Sequence, residues 1–92
     1  MPTTLHILLI EDNPDDRRLA LHTLQQALPH LQVTPIPDQH AFLQALDQGG
    51  FALVLTADRL PWSDGLTLLR TVKARSPDCP VIMLTGSANE AL

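Results

Sequence analysis

FALVLTADRLPWSDGLTLLR, residues 51–70, decides the fold. It opens as a short apolar strand from Phe51 to about Ala57, turns at Leu60-Pro61 and closes on Asp64-Gly65, where a helix begins and runs to about Ala74. The apolar stretch suits a strand buried on both faces, the kind found in parallel sheets covered by helices. Asp64-Gly65 is a turn and helix start, a task both residue types serve without any chemistry. The end of the strand presents Ala57 and then the acid Asp58, at a place where a carboxylate meets solvent.

The same alternation extends to both sides. LHILLI (Leu5 to Ile10) is a second buried strand, and Asn13-Pro14 supplies an N-cap and a proline at the first helical position. Asp15 and Asp16 complement the positive end of that helix, Ala20, Leu21, Leu24, Ala27 and Leu28 form its apolar stripe, and Pro29 ends it. LQVTPIP (Leu31 to Pro37) is an edge strand, because Pro35 has no ladder donor. Asp38 caps a helix whose Ala41, Phe42, Ala45 and Leu46 share a face, and Gly49-Gly50 stops it. Leu66, Leu69 and Val72 predict the buried side of the third helix, which Ser76-Pro77 breaks. CPVIMLT (Cys79 to Thr85) is a fourth strand, followed by Gly86 and SANEAL. Strands alternating with helices predict right-handed crossovers and a parallel sheet.

Ninety-two residues, 45% of them apolar, suit one small soluble domain spanning 1–92. A formal charge of −4 with six scattered basic residues argues against a nucleic-acid surface. Cys79 stands alone, so no disulfide framework or thiolate metal site can form within the chain, and a reducing cytoplasmic setting fits best. The N-terminus has no basic residue before its apolar run, which is far too short to span a bilayer, so no membrane partner is expected.

In an open parallel sheet, ligands bind beyond the carboxyl ends of the strands. Glu11 and Asp12, Ala57 and Asp58, and Thr85 and Gly86 fall there. Two adjacent carboxylates with a third from a neighbouring strand make a hard oxygen site suited to magnesium, and a hydroxyl across the pocket can bond a phosphoryl group. Each residue also has a plainer reading. Glu11-Asp12 suits a loop with solvated acids, Asp58 a turn residue or the partner of an arginine, and Thr85 a β-favoured strand end. His6, His22, His30 and His40 lack metal-ligand spacing. Trp62 belongs on an exposed loop, as a docking contact or packed over the third helix.

LLIEDNPDD, FALVLTADRLPWSDGLTLLR and PVIMLTG together resemble the receiver domain of two-component response regulators over essentially the whole chain. The resemblance implies an α/β, flavodoxin-like (CheY-like) doubly wound parallel sheet, incomplete here, with strand order 2-1-3-4. It implies that Glu11 and Asp12 bind magnesium, that an aspartate ending the third strand accepts phosphoryl from a histidine kinase or phosphotransfer protein, and that Thr85 contacts the phosphoryl group. The family pattern places the acceptor four residues before Pro61, and that position holds Ala57. Asp58 comes directly after it, and successive strand side chains face opposite ways, so only a bulge would aim Asp58 at the acidic pair. The resemblance also implies a fourth helix, a fifth strand preceded by a lysine, and a fifth helix; the sequence stops at Leu92 and its only lysine is Lys73, on the third helix. The expectation is therefore a non-enzymatic, receiver-like phosphorelay module unable to accept phosphoryl, with weak or absent magnesium binding and homo-oligomers formed through the exposed fourth strand. The alternatives are a phosphorylation-independent interaction or assembly module, and a small phosphotransferase using Asp58.

Overall fold

The computed structural model describes residues 5–84. Seven elements alternate along them: β1 (His6–Ile10), α1 (Pro14–Ala27), β2 (Gln32–Ile36), α2 (Gln39–Gln48), β3 (Leu53–Ala57), α3 (Gly65–Arg75) and β4 (Val81–Leu84). All three strand pairings are parallel, and the strands lie in the expected order β2-β1-β3-β4. Pro35 sits level with Leu9 on β2, an edge strand, where its missing N–H costs no ladder bond.

The caps are those the sequence specifies. Asn13 accepts from the amides of Asp15 and Asp16, Asp38 from Ala41 and Asp64 from Thr67, so each helix starts where a side chain satisfies orphan donors. Gly49 ends α2 at φ 65°, the left-handed region that a Cβ disfavours.

Alternation along the strands divides the core in two. Leu8, Ile10 and Val54 face α2 and α3, joining Ile36, Phe42, Ala45, Leu46, Leu68 and Val72 in one buried cluster. Ile7, Leu9 and Leu55 face α1, whose half-buried Ala20, Leu21 and Leu24 cover them beside Leu31, Val33 and Leu53, and no α1 residue is fully buried. Leu28, expected on the α1 stripe, is exposed. On α3 the buried pair is Leu68 and Val72, whereas Leu66 is 50% exposed. Leucines at 66, 68 and 69 allow two helical stripes, and the path of α3 across the sheet selects the one that includes Leu68. On β4, Val81 is half-buried, and Ile82, Met83 and Leu84 are exposed. Among the described residues β4 is the second sheet edge. No helix among them is long and apolar enough to cross a membrane.

Candidate functional site

The loop joining β1 to α1 is held along its length. The Glu11 amide donates to the Ile36 carbonyl at 3.3 Å, continuing the sheet one step past β1. Arg17 Nη1 reaches back from α1 and donates to the Glu11 carbonyl at 2.8 Å and the Asp12 carbonyl at 3.3 Å. Asn13 then closes the helix start through its Oδ1, 2.9 Å from the Asp15 amide and 3.1 Å from that of Asp16. Glu11 and Asp12 are both half-buried. Glu11 Oε2 is buried and has no hydrogen-bond partner among the described residues. Burial pushes the Glu11 carboxyl above its ordinary range, reinforced by the like charges of Asp12 and Asp16 and only partly offset by the Asp12 amide and Arg17.

An orphaned, buried carboxylate oxygen beside a second acid suits a cation. Magnesium takes one or two carboxylates and keeps several waters, so Glu11 and Asp12 fit it as a partial ligand set. Among the described residues, no group of three or more His, Cys, Asp or Glu side chains is placed to hold a metal ion.

β3 ends differently. Carrying the Ile10–Thr56 register one step places Ala57 level with Glu11. The β3–β4 register runs unbroken from Val54–Val81 to Ala57–Leu84, so no bulge turns the next side chain toward the acidic pair. Asp58 lies past the strand end and is exposed, and its side chain forms no hydrogen bond or ion pair among the described residues. Only its backbone is engaged, the carbonyl accepting from the Gly65 amide at 2.7 Å. The Leu60 amide closes the Pro61 turn on the Ser63 carbonyl at 3.0 Å. Asp64 is occupied as the α3 cap, and the Thr67 amide and hydroxyl hold its carboxyl below the usual range. The structure thus brings Glu11 and Asp12 together, sets Ala57 beside them and leaves Asp58 in solvent. Thr85 lies outside the described residues.

The positions of Trp62, Lys73 and Arg17 bound the site. Trp62 is half-buried, its ring 5.8 Å from that of Phe42 on α2, and it packs against the cluster that also holds Leu68 and Val72 of α3, so it is not a free loop contact. Lys73 is at the opposite end of the sheet, donating to the Cys79 carbonyl at 2.6 Å and the Pro77 carbonyl at 3.3 Å before β4. Arg17 was missed altogether. Its signal was a base close to the start of a helix, where the dipole disfavours positive charge and a specific partner is needed.

The chain matches the response regulator receiver domain over residues 7–92. It is 35% identical over 86 residues to the response regulator receiver protein CpdR of Brucella abortus, covering 94% of this chain and 70% of that protein. It is 34% identical over 92 residues to the transcriptional regulatory protein FixJ of Bradyrhizobium diazoefficiens, covering all of this chain but only 44% of FixJ. The fold superposes on the bacteriophytochrome response regulator AtBRR with a TM-score of 0.81 at 37% identity, over 98% of this chain and 72% of that one. It superposes equally, at TM-score 0.81, on the response regulator TrrA of Thermotoga maritima in complex with Mg(2+)-BeF, over 94% of this chain and 73% of that one; at 22% identity this likeness bears on the fold alone. With its strand order, its acidic β1 end and a family match that spans nearly its whole length, this chain belongs to the response regulator receiver domain family.

Proposed function

We propose that this chain is a receiver module of two-component signalling that does not take up phosphoryl, and that it works by contact with a histidine kinase or phosphotransfer protein in the cytoplasm. The observation that carries this reading is the end of β3. The position level with Glu11 is Ala57, and the next acid, Asp58, is exposed beyond an unbroken strand register. Phosphoryl transfer to a receiver needs a carboxylate nucleophile placed in line beside a cation. Ala57 has no such group. Glu11 and Asp12 would hold magnesium weakly, since both come from one strand end and Ala57 adds no oxygen from the neighbouring strand; the ion would neutralise oxygen charge in the pocket. The test is incubation with acetyl phosphate and magnesium followed by intact-mass measurement. We expect no phosphoryl adduct. An adduct mapping to Asp58 would overturn the reading in favour of a phosphotransferase.

A second reading, assembly independent of phosphorylation, is favoured by β4. It is a sheet edge among the described residues, with Ile82 49% and Leu84 41% exposed. Edges of this kind pair with other chains. On this reading the chain forms a homo-oligomer, most simply a two-fold dimer through β4. Sedimentation at low micromolar concentration checks it, and a single monomeric species with the native fold would defeat it.

A further inference from the structure

We infer that Arg17 is a positioning residue, fastening the backbone of Glu11 and Asp12 so that both side chains leave the end of β1 in set directions. The inference rests on reading those two acids as a cation site. A peptide unit is planar, so the direction of the Cα–Cβ bond is set once the units on either side of its Cα are held, and only the side-chain torsions remain. Here three successive units are held. The one entering Glu11 is tied by its amide to Ile36 at 3.3 Å. The next two are tied by their carbonyls to a single guanidinium nitrogen of Arg17, at 2.8 and 3.3 Å. Both flanks of Glu11 and both flanks of Asp12 are therefore pinned, and the Cα–Cβ bond of neither acid can turn without breaking a backbone hydrogen bond, two of them to a charged donor.

The neighbouring side chain supplies a control within the molecule. Arg18 occupies the next position on α1, is exposed and makes no hydrogen bond among the described residues, whereas Arg17 is half-buried and turned back over the loop. Positive charge at this end of a helix opposes the dipole, and the attraction of Glu11 draws a cation near without choosing its seat; the two carbonyls fix the posture of Arg17. The contact also leaves the carboxylates free, because Arg17 bonds the backbone of the acids and not their side-chain oxygens. A residue that paired directly with Glu11 would compete with a cation. One that holds the main chain prepares the site.

Charge and position predict opposite results. If Arg17 acted only as a nearby charge, its removal would tighten binding of a divalent cation by relieving repulsion. If it positions the acids, its removal weakens binding. We would compare the full chain with Arg17→Met and Arg17→Lys by magnesium titration, and measure amide hydrogen exchange in metal-free buffer. For Arg17→Met we expect exchange at the Glu11 amide to quicken roughly tenfold, the effect of losing a charge-assisted hydrogen bond. Leu8 and Leu9 should keep their rates, which reports an intact sheet. Magnesium affinity should fall several-fold, and Arg17→Lys, which keeps a charged donor, should recover part of both effects. Tighter magnesium binding in Arg17→Met, or unchanged exchange at Glu11, overturns the inference. If the unaltered chain binds no magnesium, the cation reading fails by itself, and the exchange rates still decide whether Arg17 fixes the loop.

Discussion

The two loops at the carboxyl end of the sheet are built from similar parts and present opposite surfaces. Each leaves a central strand, carries acids and ends in a side chain that caps a helix, Asn13 for α1 and Asp64 for α3. In the β1–α1 loop the capping is done by a neutral amide, so the acids before it keep their oxygens, and one of them, Glu11 Oε2, is buried without a partner. In the β3–α3 loop the capping consumes Asp64, while Asp58 stands in solvent. An acid at a strand end is thus not a site by virtue of its place in the chain. What matters is the face it is on and whether its oxygens are already spent.

The helices behind the loops differ in the reverse sense. α3 is anchored by Leu68 and Val72, at 1% and 0% exposure, while α1 touches the sheet only through half-buried side chains. The reactive-looking loop therefore leads into the weakly anchored helix. Leu68→Ala should cost about 2–5 kcal/mol in denaturant unfolding, as buried leucine deletions do. Leu24→Ala, on α1, should cost about 1–2 kcal/mol, because less of its side chain leaves water on folding. Equal losses would show that α1 is as firmly seated as α3.

Ala57→Asp aims at the difference between the loops themselves. It returns a carboxylate to the position level with Glu11, and cation affinity at oxygen sites depends on the number of charged ligands. Magnesium affinity should rise on the order of tenfold, equivalent to about 1.4 kcal/mol, in a calorimetric or fluorescence titration. An unchanged affinity would mean that Ala57 does not look into the same pocket as Glu11.

Most of the fold was legible because local signals agreed with one another. Strand and helix periods alternate, Asn13-Pro14, Asp38 and Asp64 mark three helix starts, and Pro35 identifies an edge; with the order 2-1-3-4 that the receiver resemblance implies, sequence and structure agree. Legibility failed where more than one packing satisfied the same pattern. Leu66, Leu68 and Leu69 offered two stripes, and Trp62 suited an exposed docking contact as well as packing, a choice decided by its half-buried ring 5.8 Å from that of Phe42. In the site, the acidic pair and the alanine at position 57 were visible as residue types at strand ends. The Arg17 clamp was not, because it joins a side chain to carbonyls, and every residue carries a carbonyl.

Acid titration separates the loops more finely. The carboxyl of Glu11 is raised in the folded chain from an ordinary value of 4.5, so its charge disfavours folding at neutral pH. As pH falls through the folded pKa towards 4.5, the native state takes the proton first and gains stability. Asp64 has the opposite sign: its contribution is present above its ordinary value of 3.8 and is lost as pH falls through the lower folded pKa. In metal-free buffer, Glu11→Gln should stabilise the chain slightly at pH 7, by less than about 1 kcal/mol, and flatten the rise on acidification. Denaturant midpoints measured across the acid range check both signs. A Glu11→Gln chain less stable than its parent at pH 7 would mean that Glu11 is satisfied in the folded state.

The smallest effect is expected at the most conspicuous acid. Asp58→Asn removes the charge nearest the strand-three turn, yet the side chain is exposed and bonds nothing among the described residues. The contact that matters there, from the Gly65 amide to the Asp58 carbonyl at 2.7 Å, belongs to the backbone and survives the substitution. Stability should change by no more than about 0.5 kcal/mol, the usual range for a surface position without a special role. Magnesium affinity should stay within a factor of about two, since an exposed charge outside the pocket is screened by solvent and salt. The paired measurement is Glu11→Gln, which removes a charge from the buried side and should weaken magnesium several-fold. If Asp58→Asn weakened binding as much as Glu11→Gln, the two loops would share one site in solution, with the β3 end rearranged to turn Asp58 inward.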